Sequence, residues 1–133
     1  MTTPLPPNVP PARFVSPETV PWQDAPGYAN PGAEEKILFH DQASGTYVRL
    51  LRWPAGFVTG DEPLRHDDME EFAWVLEGSS VSVSSGEAYA AGTFCVVPAG
   101  VLHGPFTSAD GITLLEVRRP VALDGAPAHR ATG

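Results

Sequence analysis

The sequence predicts an all-β fold, a sandwich or barrel in one domain. Three observations predict it. Short segments of strand character recur at roughly 8–12-residue intervals. Glycine-bearing pairs punctuate them at Gly78-Ser79, Ser85-Gly86, Ala91-Gly92, Ala99-Gly100 and Asp110-Gly111. No window of helical length carries an apolar stripe at 3.6-residue spacing.

Nine of the chain's 15 prolines fall in its first 31 residues. Proline has no amide donor and pushes its neighbour toward extended backbone, so this stretch is neither helix nor central strand. Residues 1–33 therefore form a Pro-rich extension, beginning as a flexible or polyproline-like arm. Phe14, Val15, Val20, Trp22 and Tyr28 offer it apolar anchors for the barrel or for a partner subunit. Strand patterning starts at Glu34, with segments over 36–39 and 46–53. The second puts Tyr47, Arg49, Leu51 and Trp53 on one face and Val48, Leu50 and Arg52 on the other. Parity alone does not say which face turns inward. Further strands are expected over 72–76, 81–84, 87–90, 93–97, 103–106 and 112–118. Residues 34–120 thus make the barrel, and the small, polar residues 121–133 a flexible tail.

Composition narrows the function. Sixteen acids against eight bases give a net charge of −8 in 133 residues. That balance argues against nucleic acid and against anionic membrane surfaces as partners. The single cysteine, Cys95, excludes an intrachain disulfide and a cysteine-cluster zinc site; it reads as a buried strand thiol. No apolar run is long enough to span a bilayer as a helix. The segment 1–11 has no basic start or apolar stretch, so a cytoplasmic location is expected.

Two segments carry chemistry. In the segment 92–103, Gly92 turns the chain, a buried strand follows, and Pro98-Ala99-Gly100 turns it again before His103. An imidazole mounted between turns is rigid enough to hold a metal. The segment 60–78 gathers His66 and seven acids before and along an apolar strand. Most of these acids read as a solvated loop. Glu71 differs, because it shares a face with Ala73 and Val75, opposite Phe72, Trp74 and Leu76. A carboxylate heading a small-residue face into a barrel needs a cation or hydrogen-bond donors.

These residues resemble the two motifs of the cupins, small jelly-roll-like β-barrels that hold a metal in the lumen. Gly92, Pro98, Gly100 and His103 match the second motif at its spacing, with Thr107 where asparagine is usual. Glu71 and Gly78 match the first, which also has two histidines one residue apart. Only His66 is present. Counted forward from Gly60, Asp68 replaces the second histidine; counted back from Glu71, Leu64 replaces the first. The resemblance implies a metal held by His66, Glu71 and His103, with Asp68 a candidate fourth ligand and Glu70 a competitor of Glu71. Glu70 or Asp68, if not a ligand, would be the general base. His40 and His129 lack motif context and read as surface residues.

Such a donor set suits iron(II), favoured here, or zinc or manganese(II). The implied function is a metal-dependent enzyme acting on a small organic molecule in the lumen, first an oxygen-dependent, dioxygenase-like oxidoreductase. A metal-dependent lyase, isomerase or cyclase is the alternative. A zinc- or small-ligand-binding sensor module is another, since the motif also resembles the cupin domain of zinc-binding anti-sigma factors. An outward face of Phe72, Trp74 and Leu76 needs cover, from a second subunit or from the arm with Trp22 and Tyr28, and a homodimer is expected.

Overall fold

The structure, a computed structural model, describes residues 11–121. The first ten residues, His129 and all of the expected tail except Val121 lie outside it. Val121 is buried and donates its N–H to the Asp68 carbonyl at 2.9 Å.

Among the described residues, nine antiparallel strands follow a 3₁₀ turn at Pro17–Thr19. They are β1 (Gln23–Asp24), β2 (Glu34–His40), β3 (Tyr47–Trp53), β4 (Phe57–Val58) and β5 (Met69–Ser82), then β6 (Ala88–Ala90), β7 (Phe94–Val97), β8 (Phe106–Ser108) and β9 (Ile112–Pro120). The sheet runs β1-β2-β3-β9-β5-β8-β4, with β6 and β7 also paired to β5. The 14-residue β5 is the strand around which the sheet curls. Its first half lies between β9 and β7, and its second half pairs with β8 and β6.

The turn expected at Gly78-Ser79 is instead a bend inside β5. The ladder to β9 shifts register between Val75 and Glu77, and Gly78 follows with φ +76°. A bulge of this kind turns a strand from one sheet into the next without ending it. A Cβ on Gly78 would stand 2.0 Å from the Gly111 carbonyl oxygen, so the bend also brings two backbones into contact. The segments over 72–76 and 81–84 are therefore one strand. The short strands β1 and β4 carry no periodicity the sequence could reveal, at two residues each.

On β3 the inward face is Arg49, Leu51 and Trp53, all buried. Register then stacks residues in rungs across the lumen. Arg49, Glu116 and Ala73 lie side by side on β3, β9 and β5; so do Leu51, Leu114 and Val75. One end of the barrel interior is therefore charged and the other apolar. The apolar end is a cluster of Ala33, Leu51, Trp53, Phe57, Val75, Ile112 and Leu114, with Tyr28 packed against it.

The Pro-rich extension joins the barrel before Glu34. β1 pairs with β2, Lys36 Nζ donates to the Pro17 carbonyl at 2.8 Å, and the Arg52 guanidinium stacks on the Trp22 ring at 4.0 Å. Tyr28 turns into the core. Neither aromatic covers the outer face of β5, where Trp74 and Leu76 remain exposed beside Phe94 and Val96 of β7. No helix among the described residues is long and apolar enough to cross a membrane.

Candidate metal centre

Backbone hydrogen bonds bring the two histidine segments together. Leu64 and His103 exchange both N–H···O bonds, at 2.7 and 2.9 Å, and Gly100 N–H donates to the His66 carbonyl at 2.8 Å. The turn before His103 closes from Val101 N–H to Pro98 O at 3.3 Å, with Gly100 at φ +80°. That sign of φ is what the third position of a type II turn requires, which is why glycine stands there. The two imidazole centroids end 5.2 Å apart.

Glu71, near the start of β5, completes the group. One ligand atom each from His66, Glu71 and His103 lie within 4.8 Å of one another. His66 Nε2 is 3.7 Å from Glu71 Oε1 and is buried with no hydrogen-bond partner. Burial, then the charge of Arg118, holds the His66 pKa down to about 4, so the ring is neutral at pH 7 and presents a lone pair. His103, also lowered by burial, has Nδ1 at 3.2 Å from the Val101 carbonyl. Donation there fixes the tautomer and leaves Nε2 free to ligate. Burial, then the like charge of Glu116, pushes Glu71 up to about 7, against the pull of Arg118 and Arg49. A divalent cation answers each feature: it takes the orphaned imidazole nitrogen and favours the ionised carboxylate. The residues present fit a metal bound by two histidines and one carboxylate.

Asp68 and Glu70 lie elsewhere. Asp68 is exposed and outside the group. Glu70, one residue from Glu71, points to the opposite face of β5 and is ion-paired with Arg119. Neither side chain is placed for ligation or for proton transfer in the lumen. Leu64, two residues before His66, lines the cavity with an apolar side chain.

A charged network backs the trio. Arg49 donates to Glu35 at 2.6 Å and to Glu116 at 2.8 Å; Arg118 donates to Glu116 at 2.7 Å and to Glu71 at 3.1 Å. Five buried or nearly buried charges thus satisfy one another, as low-dielectric surroundings demand. Sequence reading missed Arg49, Glu116 and Arg118 as a unit. The available signal was alternation on β9, where Ile112, Leu114, Glu116 and Arg118 share one face.

The trio opens onto a cavity of about 300 Å³. Leu51, Trp53, Val75, Phe106, Ile112 and Leu114 give it a mostly apolar wall. Cys95 also lines it, and burial beside Glu71 raises its pKa, so it stays a thiol.

Residues 11–122 match the family model of the ChrR cupin-like domain. The chain belongs to that family. Solved cupin structures share the fold. KdgF from Halomonas sp. is 20% identical, with a TM-score of 0.66 over 84% of this chain and 98% of that one. An RmlC-like cupin from Ralstonia eutropha JMP134 is 17% identical, with a TM-score of 0.67 over 90% of this cupin and 78% of its own chain. An acetylacetone dioxygenase from Acinetobacter johnsonii is 12% identical, with a TM-score of 0.64 over 97% and 89%. No curated protein matches the sequence. At these identities the likeness establishes the barrel and its topology.

Proposed function

We propose that this cupin is a metal-dependent enzyme whose substrate is a small organic molecule held in the barrel, and that its reaction is an oxygen-dependent, dioxygenase-like oxidation. The observation that carries this is the trio of His66, Glu71 and His103 set in the wall of an otherwise largely apolar cavity. Three protein ligands leave positions for substrate and oxygen. Bound iron(II), the favoured ion, would supply dioxygen activation and Lewis acidity toward substrate oxygens.

The chain's own residues supply the rest. His66 and His103 offer neutral nitrogens, and Glu71 one negative charge. Arg118, anchored on Glu116, holds the Glu71 carboxylate in place. The apolar wall excludes water from the bound substrate. Asp68 and Glu70, the acids that would have served as general base, stand outside the lumen, Asp68 exposed and Glu70 paired with Arg119. The fold shared with an acetylacetone dioxygenase supports a small oxygenated substrate. We propose also that the chain works in the cytoplasm as a homodimer.

Metal analysis by mass spectrometry on untagged protein, followed by oxygen uptake with a panel of small ketones and diketones, tests the function. Near-stoichiometric iron with substrate-dependent uptake supports it. Tight zinc with no uptake would turn the assignment to a sensor or a non-redox enzyme. No metal, even after reconstitution, would overturn it.

A further inference from the structure

The apolar end of the cavity contains a donor with no hydrogen bond of normal geometry. Trp53 is 5% exposed and lines the cavity, and its indole Nε1 is buried without a hydrogen-bond partner. A buried N–H left unpaired has lost its hydration with nothing in return, so such groups call for an explanation. Trp53 could have been phenylalanine if only packing were required there. Its ring already has a full set of neighbours, with centroids of Phe57 at 5.4 Å and of Phe106 and Tyr28 at 5.9 Å.

Tyr28 brings a second polar group to the same place. Its ring meets Trp53 and Phe57 edge-on, at interplanar angles of 83° and 85°. The segment that carries it is fixed at both sides: Ala25 N–H donates to the Ala33 carbonyl at 2.9 Å, and Asn30 Nδ2 to the Val58 carbonyl at 2.8 Å. Pro26, Gly27 and Tyr28 thereby form part of the cavity wall. Burial, then the charge of Glu116, pushes the Tyr28 pKa up to about 12, against the pull of Arg49 and of the Trp53 indole N–H, which faces the Tyr28 oxygen without a hydrogen bond of normal geometry; the hydroxyl keeps its proton.

We propose that Trp53 Nε1–H and the Tyr28 hydroxyl form a second recognition point of the cavity, which takes a neutral oxygen acceptor, a ketone or ester carbonyl, on a compact apolar ligand. This deepens the proposed function and rests on the cavity being its substrate site. Phe106 neighbours both this point and the metal trio, its ring centroid 5.9 Å from Trp53 and 6.0 Å from His103, and all three line one cavity. The ligand is thus oriented with one oxygen toward Trp53 and its reacting end toward His66, Glu71 and His103. A carboxylate is disfavoured at Trp53, because Glu116 acts on Tyr28 and the Arg49 charge is already shared between Glu35 and Glu116. A cavity of about 300 Å³ sits at the small end of the ~300–1,000 Å³ usual for ligand sites, which sets the size class.

The test is proton–nitrogen NMR on the full chain in EDTA, following the indole N–H signals of Trp22, Trp53 and Trp74. Trp22→Phe and Trp74→Phe assign the Trp53 signal by elimination even if a Trp53 variant fails to fold. The probes are cyclohexanone, methylenecyclohexane, which has the same shape without an acceptor, and cyclohexanecarboxylate. Cyclohexanone is expected to move the Trp53 signal downfield and to bind more tightly than the other two. Tyr28→Phe and Trp53→Phe should each weaken it about threefold to tenfold, one neutral hydrogen bond's worth. The proposal is overturned if the Trp53 signal does not respond to cyclohexanone, if methylenecyclohexane binds equally well, or if the carboxylate binds best. Because the metal is absent from the assay, failure of the metal assignment cannot produce any of these results.

Discussion

Arg118 donates from Nη2 to Oε1 of Glu71 at 3.1 Å, and the two residues are direct partners on adjacent strands. The carboxylate of the metal trio is therefore held by strand register and by charge together. The same guanidinium reaches Glu116, which in turn holds Arg49. The candidate metal centre and the interior ion network are one structure, and substitutions separate their roles.

The trio is tested by comparison with its acidic neighbours. His66→Ala and His103→Ala are expected to lose bound metal, with affinity falling by a hundredfold or more, about the largest loss typical of a supporting residue. Asp68→Ala and Glu70→Ala are expected to keep near-stoichiometric metal, since one is exposed and the other faces Arg119. Metal loss in Asp68→Ala would restore it as a ligand.

Arg49 is the anchor of the network. Arg49→Met leaves Glu35 and Glu116 without their shared cation in a site where Arg49 is 2% exposed. Breaking a buried pair from one side costs about 3–5 kcal/mol, and urea denaturation should show a loss of that order. A loss below about 1 kcal/mol would mean that water or a neighbour takes over the charge.

Much of this was legible in the sequence, and the reasons are local. Local turn and strand patterns singled out His103 and Glu71, and the resemblance to the cupin motifs joined His66 to them. Arg49, Glu116 and Arg118 come together only through the register of β3, β9 and β5, which spacing does not encode. The placement of Leu64 on the cavity and of Asp68 at the surface depended on the backbone pairing of Leu64 with His103. Gly78 read as a turn because glycine with positive φ serves bends and turns alike; a long-range backbone contact makes it a bend.

Gly78 therefore predicts a large fold effect with no chemistry attached. Gly78→Ala meets the Gly111 carbonyl at 2.0 Å and adopts φ +76°, and should cost about 3 kcal/mol or more. Gly100→Ala has the same sign of φ with open space around it, and should cost only about 1–2 kcal/mol. Similar losses in thermal melts of the two variants would contradict the bend.

In metal-free protein the trio should give stability a signature in pH. Glu71 is raised to about 7 from 4.5, so the protonated carboxyl favours the folded state at low pH, and that contribution is lost as pH rises through 7. His66 and His103, both lowered from 6.5 by burial, act oppositely, and their contribution levels off only above pH 6.5. Wild type and Glu71→Gln share that histidine contribution, so the difference between them isolates Glu71. In EDTA, wild type should lose about 1 kcal/mol relative to Glu71→Gln between pH ~6.5 and ~8. Equal slopes in the two proteins would show that Glu71 is already ionised at pH 6.5.

The outer face of β5 and β7 predicts the assembly. Trp74, Leu76, Phe94 and Val96 are 45–55% exposed side by side, with Trp74 and Phe94 rings 6.1 Å apart. Trp22 and Tyr28 are engaged elsewhere, on Arg52 and on the core. An apolar patch on a sheet face left uncovered by the described residues favours pairing with a second copy. Light scattering at tens of micromolar should give twice the 14.1 kDa chain mass. Trp74→Glu should return the monomer with its melting temperature little changed once dissociated, because the side chain is half exposed in the single chain. A wild-type particle of 14.1 kDa at that concentration would remove the dimer and leave the patch as an open surface.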